Sequence, residues 1–265
     1  MKIYISSDIE GTCGIVHWDE TEKGKDLYDH FARQMTREVN ACCEGVLAGG
    51  ADAVFVKDAH DSARNINPEC LPECVKIFRG WGRDPLSMVT GIDATFDGVC
   101  FTGYHSAAGT DCNPLSHTMN GKNNQILING EKTSELRIHA LAASYFGVPV
   151  RMLSGDKGLC EWLNERLPKV PTVPTNEGCG RGAWSIHPNL AVQQIRKAAE
   201  QGMALQKEDG LLPLPAAFDV EINFKDHPMA RSASFYPGAA QNGPRTVHFE
   251  AKDYWDVLTF FHFVL

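Results

Sequence analysis

Short apolar runs alternate along this chain with longer stretches in which apolar side chains recur every three or four positions. Residues 2–6 (KIYIS), 52–58 (DAVFVKD), 75–80 (VKIFRG), 98–104 (GVCFTGY) and 148–156 (VPVRMLSGD) are of the first kind, the pattern of strands buried on both faces. Residues 27–50 are of the second kind. Phe31, Met35, Val39, Cys42, Val46 and Leu47 share one face, and Gly49-Gly50 stops the helix. A second helix is predicted over 134–146, capped by Ser134 and closed by Gly147. A third is predicted over 185–206, with Pro188 in its first turn. A short helix is expected around 85–92, and QILING (125–130) reads as a strand entering an Asn-Gly turn. Beyond the proline-rich LLPLPAAFD, strands at 218–224 and 245–250 flank a loop, and a last helix starts near Asp253.

This alternation predicts an α/β fold with a mostly parallel central sheet flanked by helices. Residues 1–210 are expected to form that unit and 211–265 a smaller C-terminal α+β subdomain. There is no internal repeat.

Composition narrows the function. The chain has 265 residues, 33 acidic against 25 basic, for a formal charge of −8, and is 43% hydrophobic. That is ordinary globular composition, long enough to bury a core without staples. The acidic balance, with no clustered Lys and Arg, excludes nucleic acid as the main partner. No apolar run approaches the roughly 18 residues of a membrane span, so no membrane partner is expected. The first apolar run is too short for a signal peptide and is followed at once by acids. The nine cysteines are odd in number, and Cys42 and Cys43 are adjacent. They read as free thiols of a cytoplasmic protein. Cys70 and Cys74 are one pair without a second, which falls short of a zinc site.

In open α/β sheets chemistry gathers beyond the C-terminal ends of the strands. The first strand ends in Asp8-Ile9-Glu10-Gly11, the second in Asp58-Ala59-His60-Asp61-Ser62, and the strand at 98–104 in Gly103-Tyr104-His105. Glu135 opens the helix at 134–146 and can face the same crevice. Taken singly, Asp8 and His60 read equally as turn residues, His105 as a satisfied buried histidine, and Glu135 as a helix-dipole residue. Together Asp8, Glu10, His60, His105 and Glu135 are three carboxylates and two imidazoles, a costly set without cations. Two divalent ions bring +4 against −3, and the mixed ligands suit zinc, manganese, cobalt or iron rather than calcium. Such a centre activates water and polarises a carbonyl, which is hydrolase chemistry. The polar stretch 106–124 follows His105 and carries His117, a candidate general base, acid or oxyanion donor. His17, His30, His139, His187, His227, His248 and His262 read as surface or core residues.

The order of these motifs resembles the D-aminopeptidase family of dinuclear zinc metallopeptidases. The matching segments are Ser6-Ser7-Asp8-Ile9-Glu10-Gly11, Asp58-Ala59-His60, Gly103-Tyr104-His105, Ser116-His117-Thr118-Met119 and Ser134-Glu135-Leu136. The resemblance runs through nearly the whole chain, although Ser134 stands where the family often has glycine. It implies metal ligands at Asp8, Glu10, His60, His105 and Glu135, with Asp8 bridging two zinc ions, and a catalytic histidine at His117. The family describes that histidine as a nucleophile; the residues themselves leave open whether it attacks or supports a metal-bound hydroxide. The resemblance further implies hydrolysis of short peptides from the free amino end, with D-residues such as D-Ala, and assembly into a ring-like homodecamer. Three other readings compete: a di-metal hydrolase of phosphoesters, a thiol hydrolase pairing Cys112 with His117, and a non-catalytic metal-binding scaffold. The first of these lacks a glycine-rich phosphate loop.

Overall fold

A computed structural model describes residues 1–265. In chain order the elements are β1 (Lys2–Ser7), α1 (Tyr28–Ala48), β2 (Ala53–Asp58), β3 (Val75–Phe78), β4 (Gly98–Tyr104), β5 (Asn123–Ile128), β6 (Glu131–Lys132), α2 (Glu135–Tyr145), β7 (Val150–Asp156), α3 (Lys157–Arg166), β8 (Thr172–Cys179), β9 (Gly182–Ser185), α4 (Pro188–Gly202), β10 (Phe218–Phe224), α5 (His227–Ala233), β11 (Ala239–Gln241), β12 (Thr246–Ala251) and α6 (Tyr254–Val264). A seven-stranded sheet has the order β3-β2-β1-β4-β7-β8-β9, parallel except for β9. A five-stranded antiparallel sheet has the order β11-β12-β10-β5-β6.

The mostly parallel sheet flanked by helices agrees with the periodicity. The central strands β4 and β7 are buried at every position, as parallel strands covered on both faces must be. Along β1, Ile3 and Ile5 face a core built with α1 and α4, where Val39, Val46, Ile195 and Ala199 meet. Tyr4 faces the other core, which continues through Leu136, Ile138 and Leu141 of α2 to Ile126, Val220, Ile222 and Phe260. Helix α2 therefore lies between the two sheets, buried from Glu135 to Ser144. Ser134 caps it, its hydroxyl accepting from the Arg137 N–H at 3.2 Å.

Several local expectations change. The helix around 85–92 is a single 3-10 turn at Ser87–Val89. Helix α4 ends at Gly202, short of 206. The periodicity gave no sign of α3, β8, β9, α5 or β11. The second sheet is not confined to residues after 211, because β5 and β6 belong to it. Asn129 and Gly130, at φ 53° and 76°, make the two-residue turn between those strands. No helix is long and apolar enough to cross a membrane, and all nine cysteines are free.

The register of the large sheet positions the site. Ser7 lies opposite both Asp58 on β2 and Thr102 on β4, so the segments after β1, β2 and β4 leave the sheet side by side. Two glycines let them close up. A Cβ on Gly11 would stand 1.9 Å from the Tyr104 carbonyl oxygen, and one on Gly103 2.2 Å from the Asp8 carbonyl oxygen. Gly11 N–H instead donates to the Gly103 carbonyl at 2.8 Å, which draws the Asp8-Glu10 turn onto the end of β4.

Candidate metal centre

Asp8, Glu10, His60, His105 and Glu135 are all buried and all meet at this edge. Asp8, Glu10 and His60 lie within metal-binding distance of one another, as do Asp8, His105 and Glu135, with Asp8 common to both sets. His60 Nδ1 lies 3.2 Å from Asp8 Oδ1 and 3.2 Å from Glu10 Oε2. His105 Nε2 lies 3.5 Å from Asp8 Oδ2 and 3.6 Å from Glu135 Oε2.

The outer contacts set which nitrogen faces inward. His60 Nε2 donates to the Thr21 carbonyl at 3.0 Å, which leaves Nδ1 for the cluster. His105 Nδ1 donates to the Ser106 carbonyl at 3.0 Å, which leaves Nε2. Backbone carbonyls that fix the tautomer in this way are the usual companions of metal-binding histidines. Further out, Asp58 accepts from Asn65 Nδ2 at 2.8 Å and from the Ile66 N–H at 2.8 Å, bracing the turn that carries His60. Asp156 accepts from the Ser106 and Leu159 N–H groups at 2.6 and 2.9 Å, bracing the segment after His105.

Asp8 Oδ2, Glu10 Oε2 and His105 Nε2 are buried with no hydrogen-bond partner. Orphaned polar atoms at this depth cost about 1–3 kcal/mol each. Three orphans converging from the segments after β1 and β4, in a mixed carboxylate and imidazole set, fit a divalent metal centre.

The protonation pattern points the same way. Burial lifts the Asp8 carboxyl well above the ordinary carboxylate range, and the Glu10 charge adds to the effect. Burial pushes Glu10 upward too, but the His60 imidazolium, backed by His117 and His105, holds it well below that range. In Glu135 burial is likewise outweighed, by the His105 and His117 charges, and its carboxyl falls to about 2. Burial would lower both histidines, yet the carboxylates prevail: His60 rises well above the ordinary imidazole value and His105 to about 10. In the metal-free chain these protons supply the positive charge. Both rings therefore favour their protonated form, and a metal taking the place of those protons must expel them, so metal binding is expected to release protons and to weaken as pH falls. Calorimetric zinc titrations in buffers of different ionisation enthalpy are expected to show net proton release. Binding with none would contradict this charge balance.

His117 sits directly above His105, ring centroids 4.3 Å apart and planes within 11°. Its Nδ1 donates to the Leu115 carbonyl at 2.9 Å, and its Nε2 lies 3.5 Å from Glu135 Oε1. That oxygen also accepts from the Met119 N–H at 2.6 Å. His117 comes within ligating range of Glu10 and His105 as well. The edge of Trp18 packs on its ring, centroids 5.3 Å apart. A cavity of about 390 Å³ opens above the cluster, rimmed by Trp18, Trp81, Met88, Met119, Asp61 and Glu22, with no Lys or Arg in its wall. Apart from Trp18 and Asp61, these rim residues lie in segments whose apolar spacing gives no functional signal. A larger apolar cavity of about 630 Å³ between α5 and α6 contains no titratable side chain apart from Tyr236.

The remaining candidates separate cleanly. Cys112 packs against Gly158, and burial raises its thiol pKa, so it is neither activated nor paired with His117. His139, one turn beyond Glu135, donates back to the Glu135 carbonyl at 2.7 Å, and burial lowers its pKa to about 4, making it a neutral core residue. His17 caps a short 3-10 turn by accepting from the Asp19 N–H at 3.2 Å.

The profile of the D-aminopeptidase family matches residues 1–263. The chain belongs to the D-aminopeptidase family. A D-aminopeptidase from Bacillus subtilis strain 168 is 33% identical over 257 residues, covering 96% of this chain and 92% of that one. Among solved structures, the Zn-dependent D-aminopeptidase DppA from Bacillus subtilis, described as a self-compartmentalizing protease, superposes with a TM-score of 0.89. It is 31% identical, with 98% of this chain and 95% of that chain covered. As a D-aminopeptidase family member, this chain is a metal-dependent aminopeptidase. The phosphoester and scaffold readings have no support from these likenesses, and a cavity wall with five carboxylates and no Lys or Arg disfavours phosphate independently.

Proposed function

We propose that the chain holds two zinc ions and removes D-residues, D-Ala among them, from the free amino end of short peptides. The observation that carries this reading is the pair of triads sharing Asp8. Glu10 and His60 would hold one ion, His105 and Glu135 the other, with Asp8 available to both sets. Zinc, when bound, supplies a Lewis acid that polarises the scissile carbonyl and activates water. The chain's own contribution is to orient and to exclude. The Leu115 carbonyl accepts a hydrogen bond from the His117 Nδ1–H and so leaves Nε2 as the group that accepts or delivers a proton. Trp18 shields that ring from bulk water. The likeness to a self-compartmentalizing protease supports a homo-oligomer, with a ring-like decamer as the proposed form, and the free thiols support a cytoplasmic setting.

A chelator is expected to abolish turnover of D-Ala p-nitroanilide and D-Ala-D-Ala, and zinc to restore it. A matched panel of L-substrates should turn over more slowly. Activity that survives chelation would overturn the metal reading, and a preference for L-residues would overturn the D-residue reading.

A further inference from the structure

A peptide cut from its free end must present an α-ammonium group close to the scissile carbonyl, whose carbon lies about 2.5 Å from that nitrogen. The cavity wall offers two carboxylates outside the metal cluster, Glu22 and Asp61. Glu22 is 3.8 Å from Lys25 Nζ, and its charge is already met. Asp61 forms no such ion pair, follows His60 directly in the chain, and lines the same cavity as Asp8, Glu10, His60 and Glu135.

The backbone at Asp61 is held in an unusual state. Its φ is 43°, in the left-handed region that non-glycine residues seldom occupy, and Ala63 two residues on is at 53°. Strain of this kind persists only where surrounding contacts enforce it. Here the Trp81 Nε1–H donates to the Asp61 carbonyl at 2.7 Å. Trp81 is in turn fixed by Lys57, whose Nζ lies 4.2 Å from the ring centroid. Lys57 is fully buried, an uncommon place for a lysine, and donates to the Gly80 and Asp58 carbonyls at 2.8 and 2.5 Å. A buried cation, an indole and a strained aspartate thus form one chain of contacts from the end of β2 to the cavity rim.

We propose that Asp61 receives the α-ammonium group of the substrate, and that Lys57 and Trp81 are positioning residues that hold it there. The assignment rests on the aminopeptidase activity of the family. The wall of the cavity carries five carboxylates and neither Lys nor Arg, so it favours a cationic group at this end.

The test compares D-Ala p-nitroanilide with its N-acetyl counterpart on the zinc-loaded enzyme. Asn tolerates the left-handed conformation, so Asp61→Asn removes the charge and keeps the turn. Wild type is expected to prefer the free amine strongly. Asp61→Asn should lower kcat/KM for the free amine about ten- to hundredfold, mostly through KM, and leave the N-acetyl substrate and the zinc content unchanged. Trp81→Phe, which loses the indole donor, should shift selectivity the same way by a smaller factor. An unchanged ratio between the two substrates in Asp61→Asn would overturn the assignment, as would an equal fall on both. Wild-type enzyme that cleaves neither substrate would instead overturn the aminopeptidase activity on which the assignment stands.

Discussion

His117→Ala is expected to lose turnover by about 10²–10⁴-fold while its zinc content stays at the wild-type level. The ring lies over His105, and its Nε2 lies 3.5 Å from Glu135 Oε1, an oxygen that keeps a separate bond from the Met119 N–H. Removing the imidazole therefore leaves both triads intact. The alternative role is built into the same geometry, because His117 Nε2 falls within ligating range of Glu10 and His105. Metal analysis of the purified variant, alongside kcat, separates the two. Loss of an ion together with activity would make His117 a ligand; loss of activity with full metal makes it the proton-handling group.

Asp8→Ala is expected to lose both ions and all measurable turnover. Each triad retains two ligands, a carboxylate and an imidazole, and neither retains the shared one. The obvious objection is unfolding, and the charge pattern answers it. Burial and the Glu10 charge make an ionised Asp8 unfavourable in the metal-free chain. Asp8 therefore favours its neutral form there, its removal takes away little charge attraction, and the metal-free variant should melt close to metal-free wild type. Only the wild type should gain Tm on adding zinc, since only it binds in the folded state. A variant that keeps a full complement of zinc would contradict the bridging role.

Much of this site was legible because it depends on strand ends. The apolar runs at 2–6, 52–58 and 98–104 are buried parallel strands, and parallel register places their following residues together. The carboxylates and imidazoles then needed only their position after each run. Glu135 was harder: its helix is apolar nearly all round, and only the Ser134 cap marks where it begins. The rim was harder still, since Trp81 and Met88 lie in irregular segments whose place is set by distant contacts such as those of Lys57. Strand β8 escaped notice because Pro174, Asn176 and Gly178 break any apolar period, and its partner β9 has a largely exposed surface. The second sheet was misjudged in extent for a different reason. Its inner strand β5 is separated from its partner β10 by residues 129–217, and periodicity carries no information about such pairings.

The burial of α2 between the two sheets gives the C-terminal segment a hold on chemistry far from it in sequence. Tyr254 of α6 donates to the Ile138 carbonyl of α2 at 2.8 Å, and Asn120, on the cavity wall, donates to the carbonyl of the final residue, Leu265, at 3.0 Å. The support of the helix that carries Glu135 thus includes a side chain 116 positions away in sequence, and a loss of α6 packing would be felt at the candidate metal centre.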